Sequence, residues 1–350
     1  MHKIICVGPQ WRGSNAGALF KAFSRLGHVV DVVDENYYIN FTNLRLLTRI
    51  IDKLFFKQHA LEFNEAVLRS ASSLKPDFVL IYKGAFVFPE TIKILKKKCV
   101  VVNFYPDVSF RTHGKYLPQT LPLYDWIFTT KTFGISDLKK ELGIDKVSFI
   151  PHGYDPEIHR PLEVSASLHA SLSCDVSFIG TYSPKKEKYL SALMHALPQL
   201  KLLIWGSGWE QATTRVLQNS IQNKTVVGDL YALAIKASRI NLGILSESVG
   251  GASSGDLITS RTFHIPASGG FMLHERTRES VLYYEEDKEC VFFETQEELI
   301  AKVQYYLLNE SERENITKSG MDRAMKEHAI DVRANAVISF VESKLLKNRS

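Results

Sequence analysis

The stretch HGYDPEIHRPLEV, His152 to Val164, stands between two series of strand-like runs, and its reading decides how the chain is divided. Upstream, short β-branched runs alternate with longer helical patterns: HKIICVG (2–8), HVVDVVD (28–34), PDFVLIYKG (76–84), KCVVVNFYPD (98–107), DWIFTT (125–130) and KVSFIPHG (146–153). Downstream the alternation begins again with CDVSFIGTY (174–182), KLLIWGSG (201–208), KTVVGDL (224–230), RINLGIL (239–245), GGFMLH (269–274) and CVFFET (290–295). Two prolines with polar neighbours between Tyr154 and Leu162 mark a linker.

Strands that are hydrophobic on both faces and alternate with helices imply parallel sheets covered by helices. The expected fold class is therefore α/β, as two Rossmann-like domains, residues 1–155 and 156–330. A C-terminal helix over 331–350 could pack back on the first domain. Two such domains facing one another would leave a cleft at the carboxyl ends of both sheets, where open α/β folds bind ligands.

Composition agrees with two domains. A chain of 350 residues with 45% hydrophobic content can fill two ordinary cores. Cys6, Cys99, Cys174 and Cys290 are far apart and have no zinc-like spacing, so they read as buried thiols in a reducing compartment. The opening MHKIICVGPQ is too short in apolar residues for a signal peptide, and no later run could span a bilayer. A cytoplasmic protein is expected. Residues 1–160 carry 22 Lys and Arg against 15 Asp and Glu, a surplus of seven that leaves the remainder at minus two of the total +5. Such a half favours an anionic neighbour, or serves solubility alone.

A nicotinamide cofactor would require G-x-G-x-x-G directly after the first strand. The loop here is GPQWRGSNAG, with Gly8, Gly13 and Gly17 at other intervals. Asp34 ends the second strand, but the glycine spacing argues against a dinucleotide.

The segment SRTFHIPASGG, Ser260 to Gly270, joins an arginine and a histidine to a small-residue run. From Arg261 the text RTFHIPASGGFMLHE, then YYEEDKECVFFETQEELIAKVQYYL, then SERENITKSGMDRAMKEH ending at His328, resembles the C-terminal signature of GT-B glycosyltransferases of the CgeB-like branch. YDPEIHRP is more weakly similar. The resemblance implies a donor-binding second domain, an acceptor-binding first domain, and transfer of a sugar from a nucleoside-diphosphate sugar, a UDP-sugar being the first choice. It implies neither a metal nor any other cofactor, because helix amino termini and basic side chains take up the charge of the departing diphosphate.

Carried onto this chain, the resemblance assigns Arg261 as a fork for phosphate and Gly269 and Gly270 as points of close backbone approach. The alternative is a surface ion pair and ordinary turn glycines. His264 and Asp256 stand where related enzymes have acidic residues, the first of them holding ribose hydroxyls. An imidazole could still bond a hydroxyl, or be a structural core histidine. SESVGGASSGD (246–256), which includes Ser254, reads as a loop able to wrap a phosphate or as a merely flexible one. In GTYSPKKEKYL, Gly180 ends a strand and Lys185 and Lys186 open a helix, as phosphate ligands or as a solvated lysine run. Trp205, Gly206 and Tyr231, at or just beyond two later runs, are candidates for the nucleobase.

For the acceptor, Asp107 is the first choice of catalytic base and His113 the second, with turn capping as the alternative role of Asp107. Gly13 lies in the turn expected to approach sugar and acceptor. In NLRLLTRIIDKLFFKQ, Arg45, Arg49, Lys53 and Lys57 recur every four residues as a basic helix face. That face would meet a membrane surface or a phosphorylated acceptor, or simply be wet. The acceptor class is open among glycan, lipid, protein and DNA. Two other readings are a non-catalytic nucleotide- or sugar-binding protein of coat or surface assembly, and a nucleotide-sugar epimerase.

Overall fold

The computed structural model describes residues 1–39 and 46–347, and the side chains of 46–54 lie outside that description. Contacts divide the chain into two units. The first comprises Met1–Pro151, Ser248–Ser254 and the segment from Ile330 onward; the second comprises His152–Glu247 and Gly255–Ala329. The boundary therefore falls a few residues before the expected 155/156, and the second unit is interrupted rather than continuous.

In the first unit β1 (Lys3–Gly8), β2 (Val29–Asp34), β3 (Phe78–Tyr82), β4 (Val100–Tyr105), β5 (Trp126–Thr129) and β6 (Val147–Phe149) form a parallel sheet in the order β2-β1-β3-β4-β5-β6. Continuous apolar runs make the central strands inaccessible on both faces. Ile5, Val7, Val79, Ile81 and Val101 pack towards the helix Leu46–Leu74 and the helix Pro89–Lys96. Ile4, Cys6, Phe78, Leu80 and Val102 pack towards the helix Asn15–Arg25 and the helix Ile330–Phe340. Arg25 Nε and Nη2 clamp Asp331 at 2.7 and 2.8 Å, fixing that last helix beside the first one.

In the second unit β7 (Cys174–Ile179), β8 (Leu202–Trp205), β9 (Ser238–Gly243), β10 (Met272–Glu275) and β11 (Val291–Phe293) form a parallel sheet in the order β11-β10-β9-β7-β8. The expected strand KTVVGDL does not form. Beside the edge strand β8, Ile221 makes an isolated bridge to Ile204 and Gly206 N donates to Lys224 O at 3.0 Å. Positive φ at Asn223 (51°) and Gly228 (59°) then turns the chain into the helix Asp229–Ala237, so pairing cannot propagate. The four cysteines are buried and form no disulfide. Among the described residues no helix is long and apolar enough to cross a membrane.

Candidate functional site

The carboxyl edge of the second sheet gathers two cations. Lys186 lies in the first turn of the helix Pro184–Ala196, whose proline at the first position suits a helix start. It is 3% exposed, and its ammonium donates to Thr181 O at 3.0 Å and Ser246 Oγ at 2.9 Å. Burial, reinforced by Arg261, lowers its pKa to about 8. Arg261 opens the helix Arg261–Ala267 and reaches the ends of β7 and β9, donating to Ile179 O (3.4 Å) and Ile244 O (2.7 Å). Its guanidinium lies 5.2 Å from the centre of the Phe178 ring. Gly180 makes the room: a Cβ there would stand 2.7 Å from Arg261 Nη1.

Among the described residues the hydrogen-bond partners of both cations are neutral oxygens. Arg261 Nε is buried without any partner, and so is the hydroxyl of Tyr231. Burial lowers the Arg261 pKa, offset in part by Tyr231, Asp256 and Glu275; it raises that of Tyr231, which Arg261 opposes. The carboxyl edge thus gathers two neighbouring cations and two buried polar groups without a hydrogen-bond partner among the described residues.

Carboxylates frame this pair. Glu275 Oε1 accepts from Lys185 Nζ at 2.5 Å, and its Oε2 accepts from Leu245 N at 3.0 Å, so Lys185 is already paired where it was expected to bind phosphate. Glu247 accepts from Lys185 N at 3.2 Å, at the amino end of the helix. Glu187 accepts from Thr213 N, Thr214 N and Thr214 Oγ1 at 2.7 to 2.8 Å, and from Tyr182 OH. Desolvation opposes its ionisation, but those bonds outweigh it and bring its pKa to about 2. Sequence reading missed these glutamates. The one legible signal was a carboxylate inside or just after each basic run, Glu187 after Lys186 and Glu275 at the end of FMLHE.

Other expected ligands are placed elsewhere. Gly269 (φ 73°) and Gly270 follow the helix Arg261–Ala267 and precede β10, at the amino edge of the sheet. A four-residue strand spans about 13 Å, which separates them from the carboxyl edge. Their smallness serves packing, because a Cβ on Gly270 would collide with the Ile235 side chain. His264 is buried, its Nε2 donates to Gly153 O at 3.2 Å, and its ring stacks on His159 at 3.7 Å. Desolvation lowers its pKa to about 3, so it is a neutral core residue instead of a free ribose ligand. Trp205 is packed with Leu172, Leu203 and Val226, which leaves no open face for a base. Gly206 (φ 135°) brings its backbone against Gly180 O. Asp256 stays in the second unit, where its charge acts on both Lys186 and Arg261.

The loop expected to wrap a phosphate is anchored in the first unit. Ser109 Oγ donates to Gly250 O at 2.8 Å and Ser253 N to Asp137 Oδ2 at 2.9 Å, and Ser254 belongs to the same unit.

The carboxyl edge of the first sheet is of mixed charge. Lys83 Nζ lies 2.8 Å from Asp107 Oδ2, paired by distance without hydrogen-bond alignment, and His113 Nδ1 lies 4.0 Å from the same oxygen. The expected pair of catalytic residues is thus brought together, and Lys83 shares the same carboxylate oxygen. Lys83 has φ 60°, a strained value for a non-glycine residue, and Asn103 Nδ2 holds it by donating to Lys83 O at 3.1 Å. Glu35 follows β2; burial raises its pKa to about 7, against the pull of Lys83. Asp34 accepts from Gln10 N at 3.2 Å, tying the end of β2 to the turn that contains Gly13 (φ 98°).

Of the basic face, Arg45 lies outside the described residues, as do the side chains of Arg49 and Lys53; Lys57 is exposed on the helix Leu46–Leu74. Among the described residues no group of three or more His, Cys, Asp or Glu is arranged to hold a metal ion.

Residues 185–339 match a family model described as glycosyl transferase-like. No curated protein matches the chain. Sucrose-phosphate synthase from Thermosynechococcus elongatus superposes with a TM-score of 0.70 at 13% identity, covering 100% of each chain. HepE of Anabaena in complex with UDP-glucose superposes with a TM-score of 0.65 at 13% identity, covering 98% of this chain and 100% of the other. An alpha-glucosyltransferase in complex with UDP and a 13-mer DNA containing a HMU base gives 0.65 at 12%, with the same coverage. The chain has the two-domain GT-B fold of these proteins, and its C-terminal part carries a glycosyl transferase-like domain.

Proposed function

We propose that the chain is a glycosyltransferase that takes its sugar from a nucleoside-diphosphate sugar, a UDP-sugar in the first instance, without a metal. The observation that carries this reading is the pair of cations at the end of β7 and β9, Lys186 and Arg261, bonded among the described residues only to neutral oxygens, beside the orphaned Arg261 Nε and Tyr231 hydroxyl. A diphosphate would supply the missing acceptors and the missing negative charge together. As the glycosidic bond breaks, charge grows on the departing diphosphate, and the two cations favour that state over the intact donor. The complexes of two structural neighbours with UDP or UDP-glucose support this choice of donor.

The acceptor is a hydroxyl, and the first unit supplies the groups for it. Asp107 and His113 remain candidates for taking its proton, and Glu35 joins them because its pKa of about 7 suits a base working near neutrality. Glycan, lipid, protein and DNA acceptors are all compatible with these residues. Within the class, the run from Arg261 to His328 favours the CgeB-like branch.

A thermal-shift panel of nucleotide sugars tests the reading, since a ligand specific for the folded state raises its apparent stability by mass action. A rise with one nucleotide sugar, and none with the free sugar, is expected. Melting temperatures unmoved by every member of the panel would overturn it.

A further inference from the structure

A cavity of about 460 Å³ opens at the other edge of the second sheet, within the second unit. Ala237 and Ser238 at the start of β9, Gly269 and Phe271 before β10, and one face of the helix Glu310–Glu327 line it. It is separate from the carboxyl edge that holds Lys186 and Arg261.

Its lining is mainly cationic. Lys236, Arg239, Arg313 and Lys318 line it against the single carboxylate Glu314, with His169 at the rim. The excess is local, because residues 161–350 as a whole are at minus two. Arg313 is only 6% exposed; its Nη1 donates to Tyr306 O at 2.5 Å and its Nη2 to Glu310 Oε1 at 3.2 Å. Arg239 donates to Leu307 O at 2.6 Å and to Asp175 Oδ1 at 3.2 Å. The two guanidinium groups thus meet at the last carbonyls of the helix Gln296–Leu308, which attract cations. Capping explains why they are there, but not why two lysines are added. Lys236 and Lys318 have no ion-pair partner among the described residues. Burial, followed by Arg239, lowers the pKa of Arg313, so its charge is held against repulsion.

We propose that this cavity is a second anion site, taking a small phosphate monoester of sugar-phosphate size. Two guanidinium groups held in place by those bonds supply fixed positive charge, and two lysines add mobile point charges for a doubly charged group. The volume exceeds what a phosphate alone would fill and lies in the range of small-molecule sites. The site does not depend on glycosyl transfer, so it stands or falls apart from the donor reading.

Calorimetry on the full chain tests it with inorganic phosphate and glucose 6-phosphate as probes, each with and without saturating UDP. Binding of glucose 6-phosphate that persists under UDP, weakens with salt, and weakens by about tenfold or more in the Lys236→Glu/Lys318→Glu double variant is expected. Both lysines are exposed, so the variant should melt as the parent does, and Lys236→Ala/Lys318→Ala should give an intermediate affinity. The proposal is overturned if neither probe binds, if UDP abolishes binding, or if both double variants bind as tightly as the parent.

Discussion

The carboxyl edges of the two sheets are built from similar strands and arranged on opposite electrostatic plans. At the first, Lys83 stands against Asp107 with His113 near, so charges of both signs meet within the protein. At the second, Lys186 and Arg261 sit together and rest on carbonyl and hydroxyl oxygens. A mixed edge carries both signs of charge and can manage a proton. A like-charged, desolvated edge carries an unfavourable burial of charge that a bound anion would relieve. Under the proposed function, proton chemistry belongs to one unit and charge stabilisation to the other.

The largest expected effect comes from removing the fork on the like-charged side. Arg261→Ala should lower UDP-sugar turnover by about 10² to 10³-fold, the scale for deleting one preorganised donor to developing negative charge. Arg261→Lys keeps the charge without the geometry and should fall between. Lys83→Met, on the mixed edge, should leave UDP affinity nearly unchanged by calorimetry. Equal losses of UDP affinity in the Lys83 and Arg261 variants would break the comparison.

A second effect belongs to the mixed edge. The Glu35 pKa is raised from 4.5 to about 7 in the folded chain, chiefly by desolvation. The unfolded chain ionises first, so this group lowers stability as pH rises from about 4.5 to about 7, and the penalty is full above that window. Glu35→Gln should therefore stabilise the protein by about 2 to 3 kcal/mol at alkaline pH and hardly at all in acid. Denaturant titrations at both ends of the window measure it; a gain independent of pH would show that the carboxylate is not held out of water.

The two edges also differ in how far the sequence disclosed them. Repeated β-branched runs such as FVLIY (78–82) and CDVSFI (174–179) announced both parallel sheets, because burial on both faces leaves a continuous apolar signature. KTVVGDL carried the same local signal and failed, since Gly228 turned the chain before an edge pairing could extend. Basic residues at a helix start were legible as Lys186 and Arg261. What was not legible was direction: a helix runs back along its sheet, so residues a few places after Arg261, such as Gly269 and Gly270, end at the opposite edge. Nor could the sequence show that Glu275 neutralises Lys185 while Lys186, one residue on, donates to Thr181 O and Ser246 Oγ; that choice is made by helical phase and long-range packing. His264 was ambiguous for a related reason, as its stacking partner His159 lies more than a hundred residues away in the chain.

The smallest effect sharpens the comparison through pH. Desolvation first, then the neighbouring Arg261, brings the Lys186 pKa down to about 8 in the ligand-free chain. A bound diphosphate favours the ammonium and raises that value, so proton uptake accompanies binding above it. Affinity for UDP should then fall by about tenfold between about pH 7 and about pH 9, as the free lysine loses its charge. Lys186→Arg, which does not titrate there, should flatten this profile while Lys83→Met leaves its shape intact, because only the like-charged edge is coupled to the anion. A profile that stays steep in Lys186→Arg would place the titrating group elsewhere and remove the reason for treating the second edge as a diphosphate site tuned by its own repulsion.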